Sequence, residues 1–351
     1  MNAYIDISEV TLETERLILR PWRTSDLEDL FEYASVDGVG QMAGWLPHRD
    51  IEESRIILGK FIEHKKTFAL EYCGKVIGSL GIEEYRRSSY PQFEDLRCRA
   101  LGYVLSRDYW GRGLMPEAVK AVLAYLFDSV NLDAVFCSHY LWNGQSKRVI
   151  EKSGFSHLGY SVHETASGGE QKTEDHIICR EDWFAGSGRA VSAGESRYAV
   201  RELLGRGKGG YSWLVERDGE LFVLKQIHHE PCDYYSFGDK MAAELRDYDR
   251  LMAAGIRIPK LISADGRRER IVKEYIEGET ASSLMERGES AEPYIGQLRD
   301  MAELARAAGL NIDYYPANFV IRDGLLWYVD YECNEYSEGW DLEHWGMGFW
   351  K

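Results

Sequence analysis

The texture of the chain breaks once, at "FAGSGRAVSAGES", Phe184 to Ser196. The stretch is small, polar and rich in Gly and Ser, and it reads as a flexible linker. This break constrains the fold most, because each side of it must bury a core of its own. A length of 351 residues also favours two domains over one. The expected layout is a domain over 1–185, a linker over 186–196 and a second domain over 197–351. Charge does not separate the two sides. Residues 1–196 hold 22 basic and 30 acidic side chains and residues 197–351 hold 20 and 28, so each side carries −8 of the total −16.

A hydrophobic content of 44%, with 10 Trp, 22 Tyr and 12 Phe, supplies two cores and argues against disorder. The acidic balance disfavours non-specific binding to nucleic acid or anionic membranes and suits cationic substrates. The cysteines at 73, 98, 137, 179, 232 and 333 are scattered, with no C-x-x-C and no Cys/His run at zinc spacing. "MNAYIDISEV" lacks the basic start and apolar centre of a signal peptide, and no apolar run reaches membrane-spanning length. A cytoplasmic protein with reduced thiols is expected, without nucleic-acid or membrane partners. The oligomeric state is not legible.

The first side has a mixed α/β order. "RLILRPW" alternates as a strand, and "TSDLEDLFEYAS" reads as a helix capped by Thr24 or Ser25. "TFALEYCGKVIGSLGIEEY" reads as a hairpin turning at Cys73-Gly74-Lys75. "RALGYVLS" is a strand, "MPEAVKAVLAYLFDSV" an amphipathic helix, "AVFCSHYL" a strand, "GQSKRVIEKSG" a helix and "EDHIICRED" a late strand. In "VLSRDYWGRGLMPEA" a strand ends, a glycine turn follows and a helix begins. Unpaired N–H groups in such a turn, with the helix N-terminus, suit a pyrophosphate, and Gly111 and Gly113 let backbone approach it closely. Of the candidate acid–base residues, Glu83 and Glu84 follow the hairpin. Tyr140 and Ser146 carry hydroxyls. His139, in a strand, reads as a structural histidine.

With "LWNGQSKRVIEKSGF" added, the stretch over 10–183 resembles the GNAT N-acetyltransferases, especially the branch that acetylates ribosomal-protein N-termini. The resemblance implies acetyl-CoA as cofactor. Val104, Leu105 and Ser106 would line its pantetheine arm. The N–H groups of Gly111, Arg112, Gly113, Leu114 and Met115 would hold phosphate oxygens, Asn143 would contact the cofactor, and Ser146 would stand near the leaving thiolate. Asp108 stands where the family has Gln or Arg, so Arg107 or Arg112 would supply the positive charge.

On the second side, Gly205, Gly207 and Gly210 of "LLGRGKGGYSWLV" join two expected strands. That context argues against a dinucleotide fold and for a strand–loop–strand over nucleotide phosphates. "FVLK" puts Lys225 on the next strand, and "AAEL" puts Glu244 on a helix nineteen residues on. "NIDYYPANFVIRDGLLWYVDYE" spaces Asp313, Asn318 and Asp330 as many phosphotransferases space a catalytic base and two magnesium ligands. The order resembles the protein-kinase-like superfamily, in its aminoglycoside- and choline-kinase branch. The resemblance implies ATP or GTP and Mg²⁺ as cofactors. Lys225 would pair the phosphates and Glu244 would hold Lys225. Glu274 and Tyr275 would form a hinge to the base, Asp313 would act on the acceptor hydroxyl, and Asn318 and Asp330 would bind metal. Asn311 stands where the family has His, Asp-Tyr-Glu replaces Asp-Phe-Gly, and the C-terminal lobe is short.

The fold class expected is therefore α/β (α+β), a GNAT mixed sheet followed by a small two-lobed kinase-like domain. The function expected is bifunctional, an N-acetyltransferase and a phosphotransferase acting on a cationic small molecule with amine or hydroxyl acceptors, such as an aminoglycoside. The alternative is an acetyltransferase of protein N-termini or small amines carrying a regulatory, nucleotide-binding or catalytically dead kinase-like module.

Overall fold

The computed structural model describes residues 1–165, 169–185, 190–207, 209–228 and 239–350. Two compact units form, one from the described residues up to 185 and one from those from 190 onward. Residues 186–189 of the expected linker and Lys208 of the glycine loop lie outside the described residues. The linker's remainder is not loose: Ala190–Ala193 is a strand paired to the strand that begins at Ser196.

The first unit has a mixed eight-stranded sheet. In chain order its elements are β1 (Leu12–Glu13), β2 (Ile18–Pro21), α1 (Leu27–Ala34), α2 (Ile51–His64), β3 (Thr67–Tyr72), β4 (Lys75–Glu83) and β5 (Cys98–Leu105). Then come α3 (Leu114–Asp128), β6 (Ala134–Tyr140), α4 (Gly144–Lys152), β7 (Ser156–Glu164), β8 (Glu170–Cys179) and α5 (Arg180–Ala185). The sheet order is β1-β2-β3-β4-β5-β6-β8-β7. Every pair is antiparallel except β5–β6, which α3 joins as a crossover. The turn between β3 and β4 needs positive φ at Cys73 (51°) and Gly74 (80°), the mirror-image geometry of a tight hairpin. Helix α3 buries Met115, Ala118, Val119, Val122, Leu123 and Leu126, an apolar stripe at helical spacing.

One local expectation is corrected. Neither Thr24 nor Ser25 caps α1: Thr24–Asp26 is a 3-10 turn, and the Asp26 carboxylate accepts the Arg23 N–H at 2.8 Å. Asp26 also takes the buried Arg20 guanidinium at 2.8 and 2.9 Å, while Glu71 holds its Nε at 2.6 Å. The expected late strand forms as β8, one arm of a hairpin with β7.

The second unit is also mixed α/β. A six-stranded antiparallel sheet contains β9 (Ala190–Ala193), β10 (Ser196–Arg206), β11 (Gly210–Arg217), β12 (Glu220–Ile227), β13 (Leu261–Asp265) and β14 (Arg270–Glu274), ordered β13-β14-β12-β11-β10-β9. Helix α6 (Lys240–Ala253) lies between β12 and β13 in the chain. After the sheet come β15 (Glu279–Thr280), α7 (Ala281–Glu286), α8 (Glu292–Ala307), β16 (Leu310–Ile312), β17 (Phe319–Arg322), β18 (Leu325–Tyr328) and β19 (Cys333–Glu335). β15-β17-β18 and β16-β19 make two small sheets. Leu298, Met301, Phe319, Tyr328 and Trp350 share one core, and the Trp350 indole N–H donates to the Tyr314 carbonyl at 2.7 Å. Asp341 fixes the last turns, accepting from the His344 N–H at 2.9 Å and the Tyr336 hydroxyl at 3.2 Å.

Removing one partner of a buried charge leaves the other uncompensated. Asp26→Ala is expected to destabilise the first unit by about 3 kcal/mol, at the low end for such a loss because Glu71 remains. Urea denaturation of the full chain, followed by tryptophan fluorescence, measures it.

Candidate active site

The parallel ladder of β5 and β6 runs from Cys98–Ala134 to Leu101–Cys137 and stops there. Gly102 to Leu105 stay paired to β4, and Ser138 to Tyr140 stay paired to β8. The two strands therefore part, and a cleft of ≈ 220 Å³ opens alongside Tyr103, Val104 and Leu105. It continues past Gly111, Gly113, Leu114 and Met115 at the start of α3. Gly111 (φ 76°) and Gly113 (φ 77°) both need left-handed backbone, and Gly113 begins α3 with no side-chain cap. Among the described residues, none of the five N–H groups from Gly111 to Met115 donates to another protein group. Arg16 holds the loop from behind, donating to the Arg112 carbonyl at 2.9 Å and pairing with Glu117 at 2.6 Å. A run of outward, unpaired amides at a helix N-terminus fits the pyrophosphate of acetyl-CoA.

The cleft's positive charge comes from residues the sequence reading missed. Arg112 folds back over the Tyr109 ring at 5.0 Å and donates to the Asp108 carbonyl at 2.7 Å. Arg148 and Lys152 of α4 line the cleft instead. Their i, i+4 spacing in "SKRVIEK" was the available signal. Ser106 is committed elsewhere, its N–H donating to the Ile77 carbonyl at 2.7 Å.

A second cavity, ≈ 390 Å³, shares Met42, Tyr103 and Ser146 with the first. The Tyr103 hydroxyl and Ser146 Oγ are 2.8 Å apart, and burial pushes the tyrosine's hydroxyl well above its ordinary pKa. Tyr103 was not foreseen, because inside "RALGYVLS" it reads as one more strand residue. Asn143 lines the first cleft, but its amide has structural duties. Its oxygen accepts the Ser146 N–H at 3.0 Å and its nitrogen donates to the Met42 carbonyl at 3.1 Å. Tyr140 lines the second cavity, stacked on Trp142 with centroids 5.5 Å apart. Glu83 lies at the end of β4, 2.7 Å from the Lys66 ammonium, with Glu84 beside it in the lining. Asp175 is buried in the same wall and accepts from Tyr90 at 2.7 Å and Thr173 at 3.1 Å. Burial raises its pKa, but hydrogen bonds from Ser161, Ser138, Tyr90 and Thr173 outweigh that and hold it below the usual carboxylate value. The wall thus holds three carboxylates, Glu83, Glu84 and Asp175, against one guanidinium, Arg86.

In the second unit, Lys225 on β12 pairs with Glu244 on α6, and Asp330 Oδ1 lies 3.7 Å from the same ammonium. Burial lowers the Lys225 pKa, but the carboxylates of Asp330 and Glu244 outweigh it and raise the value. Lys273, buried on β14, donates to the Val329 carbonyl, and burial depresses its pKa. Burial likewise opposes the charge on Asp330, yet Lys225 and Lys273 together hold it low. Gly209, unnoticed in the sequence, passes above this group: a Cβ there would stand 3.4 Å from Lys225 Nζ and 3.5 Å from Glu244 Oε1. Gly205 sits within β10 opposite Ser212, and Gly207 accepts from His228 Nε2 at 3.0 Å. Gly210 is needed for packing, since any side chain would strike the Gln226 carbonyl. Asp313 accepts the Tyr315 N–H at 3.1 Å, and the Asn318 carbonyl accepts the Val329 N–H at 2.8 Å, next to Asp330. The Glu274 N–H, expected at a hinge, donates to the Lys260 carbonyl at 2.9 Å. Tyr275 follows just beyond β14.

Residues 16–156 match the family described as acetyltransferase (GNAT) domain. An uncharacterized N-acetyltransferase, p20, of Bacillus licheniformis is 26% identical over 157 residues, 42% of this chain and 84% of the relative. The ribosomal protein uS5-alanine N-acetyltransferase of Escherichia coli (strain K12) is 24% identical over 196 residues, 52% of this chain and 96% of the relative. A solved GNAT-family acetyltransferase from Bacillus anthracis is 23% identical and covers 49% of this chain and 99% of its own, with a TM-score of 0.43. The match to a GNAT acetyltransferase domain thus falls at the N-terminus, over residues 16–156.

Proposed function

We propose that the chain transfers acetyl from acetyl-CoA to an amine on a cationic acceptor, and that its C-terminal unit is a kinase-like phosphotransferase. The run of unpaired N–H groups from Gly111 to Met115, at one end of a cleft that reaches Tyr103 and Ser146, carries the first part. Acetyl-CoA, when bound, supplies the thioester. Gly111 to Met115 hold its phosphates, with Arg148 and Lys152 adding charge. Glu83 takes the ammonium proton at the acceptor cavity, and Ser146, hydrogen-bonded to Tyr103, donates a proton to the leaving sulfur. Glu84 and Asp175 attract the acceptor's positive charge. Aminoglycosides fit that charge. A protein N-terminus is the second acceptor class, supported by the name of the uS5-alanine relative.

Thiol release from acetyl-CoA, with aminoglycosides and with an alanine-initiated peptide, tests this. Ser146→Ala is expected to lower kcat about 100-fold with little change in the KM for acetyl-CoA. Arg148→Glu is expected to raise that KM about tenfold, less so at high salt. Unchanged turnover in Ser146→Ala would remove it from the chemistry.

The Lys225–Glu244 pair beneath Gly209, with Asp330 3.7 Å from Lys225, supports the second part. Lys225 would meet nucleotide phosphates, Asn318 and Asp330 would hold Mg²⁺, and Asp313 would orient an acceptor hydroxyl. Asp313→Asn is expected to abolish nucleotide turnover while Mg-ATP or Mg-GTP still raises the melting temperature. Binding without turnover in the parent chain would make the unit a regulatory module. No thermal shift with either nucleotide would overturn both forms of the reading.

A further inference from the structure

On the sheet face opposite Ser138, Thr173 and Asp175, four side chains of the first unit gather. His139 on β6 lies opposite Glu174 on β8, and His157 on β7 lies opposite His176 on β8. Cross-strand partners share a face, and residues two apart on a strand share it as well. One ligand atom each from His139, Glu174 and His176 falls within 4.8 Å of the others. The His139 and His176 side chains are 1% and 4% exposed.

The hydrogen-bonding pattern leaves a place for a cation. His139 Nδ1 stands 2.9 Å from the Tyr140 carbonyl, so that nitrogen carries the proton. In the neutral ring Nε2 then presents a lone pair. It faces Glu174 Oε2 at 3.3 Å, and it has no hydrogen-bond partner although buried. Two acceptors in contact repel unless a proton or a metal ion lies between them. His176 turns its Nε2 to the other Glu174 oxygen at 3.6 Å, while its buried Nδ1 has no partner. A tetrahedral zinc site with ligands at about 2.0–2.1 Å spaces its donor atoms about 3.3 Å apart. Histidine whose second nitrogen donates to a backbone carbonyl is also the usual arrangement behind a metal.

We propose that His139 Nε2, His176 Nε2 and the Glu174 carboxylate form a structural zinc site, with His157 as the fourth ligand. His157 Nε2 already lies 4.0 Å from Glu174 Oε1, and its half-exposed ring has room to close. Two or three imidazoles with one carboxylate suit Zn²⁺ over the harder Mg²⁺ or Ca²⁺. Lys147 of α4, 3.1 Å from Glu174 Oε2 and partly exposed, is the competing cation that swings aside. The acceptor wall at Ser138, Thr173 and Asp175 lies on the opposite sheet face by strand alternation, so the ion staples β6, β7 and β8 and takes no part in catalysis. This assignment stands independently of what the enzyme acetylates.

The test uses the full chain, freed of metal by a chelator and titrated with Zn²⁺ against a chromophoric competitor. One tight equivalent is expected, with a rise in the melting temperature of the first unit. Co²⁺ in its place should give the visible absorption of a tetrahedral site. His139→Ala and His176→Ala should each lose that equivalent. Glu174→Gln, which keeps the shape, guards against misfolding of the histidine variants and should weaken binding by more than tenfold. Lys147→Met should tighten binding by up to about fivefold, the worth of one exposed ion pair. An undiminished equivalent in both histidine variants places the zinc elsewhere. No retained zinc in the parent chain leaves a proton as the shared cation. Either result overturns the site.

Discussion

The first unit depends on where one hydrogen-bond ladder ends. β5 and β6 pair in parallel to Leu101–Cys137 and no further. Beyond that point their facing N–H and C=O groups have no strand partner, and backbone polar groups left unpaired are costly unless something else satisfies them. Each edge of the opening is held by other means: β5 by its pairing to β4, β6 by its pairing to β8. Asn143 fastens the entrance, capping α4 with one end of its amide and gripping Met42 with the other. The catalytic proposal needs this opening, because Ser146 reaches Tyr103 only where β6 has moved away.

What could be read from the residues in advance was local. The glycine turn into α3 announces itself because Gly111, Gly113 and the apolar stripe of α3 lie within one short run. The spacing of Lys225 and Glu244 likewise pointed to partners, one on a strand and one on a helix, and the two side chains do meet. What escaped was built across strands. Asp26 binds Arg20 and, through Arg20, shares charge with Glu71 on β3. Tyr103 gains its meaning from α4, and Arg148 and Lys152 from the loop they face. His139 reads as a satisfied strand histidine until Glu174 and His176 are placed beside it. A search for metal ligands spaced along the chain cannot find a set that is spaced across a sheet.

The glycines of the second unit show the same limit from another side. Gly210, which fits a phosphate-loop pattern, is accounted for by the close pass of β12. Gly209 is the one that overlies the Lys225–Glu244 pair. A glycine pattern reports that backbone comes close to something. Only the packing says whether that something is a ligand or another strand.

Met42 stands in the wall of both cavities of the first unit. With Tyr103 and Ser146, it therefore helps set the dimensions of two sites that handle different molecules. Enlarging it to refuse a bulky acceptor also crowds the cofactor's channel, and trimming it to admit one loosens both. Selection on acceptor range is thus tied at this position to cofactor affinity. A lineage changing its substrate would more readily vary the outer wall, at Glu84 or Arg86, than the partition itself.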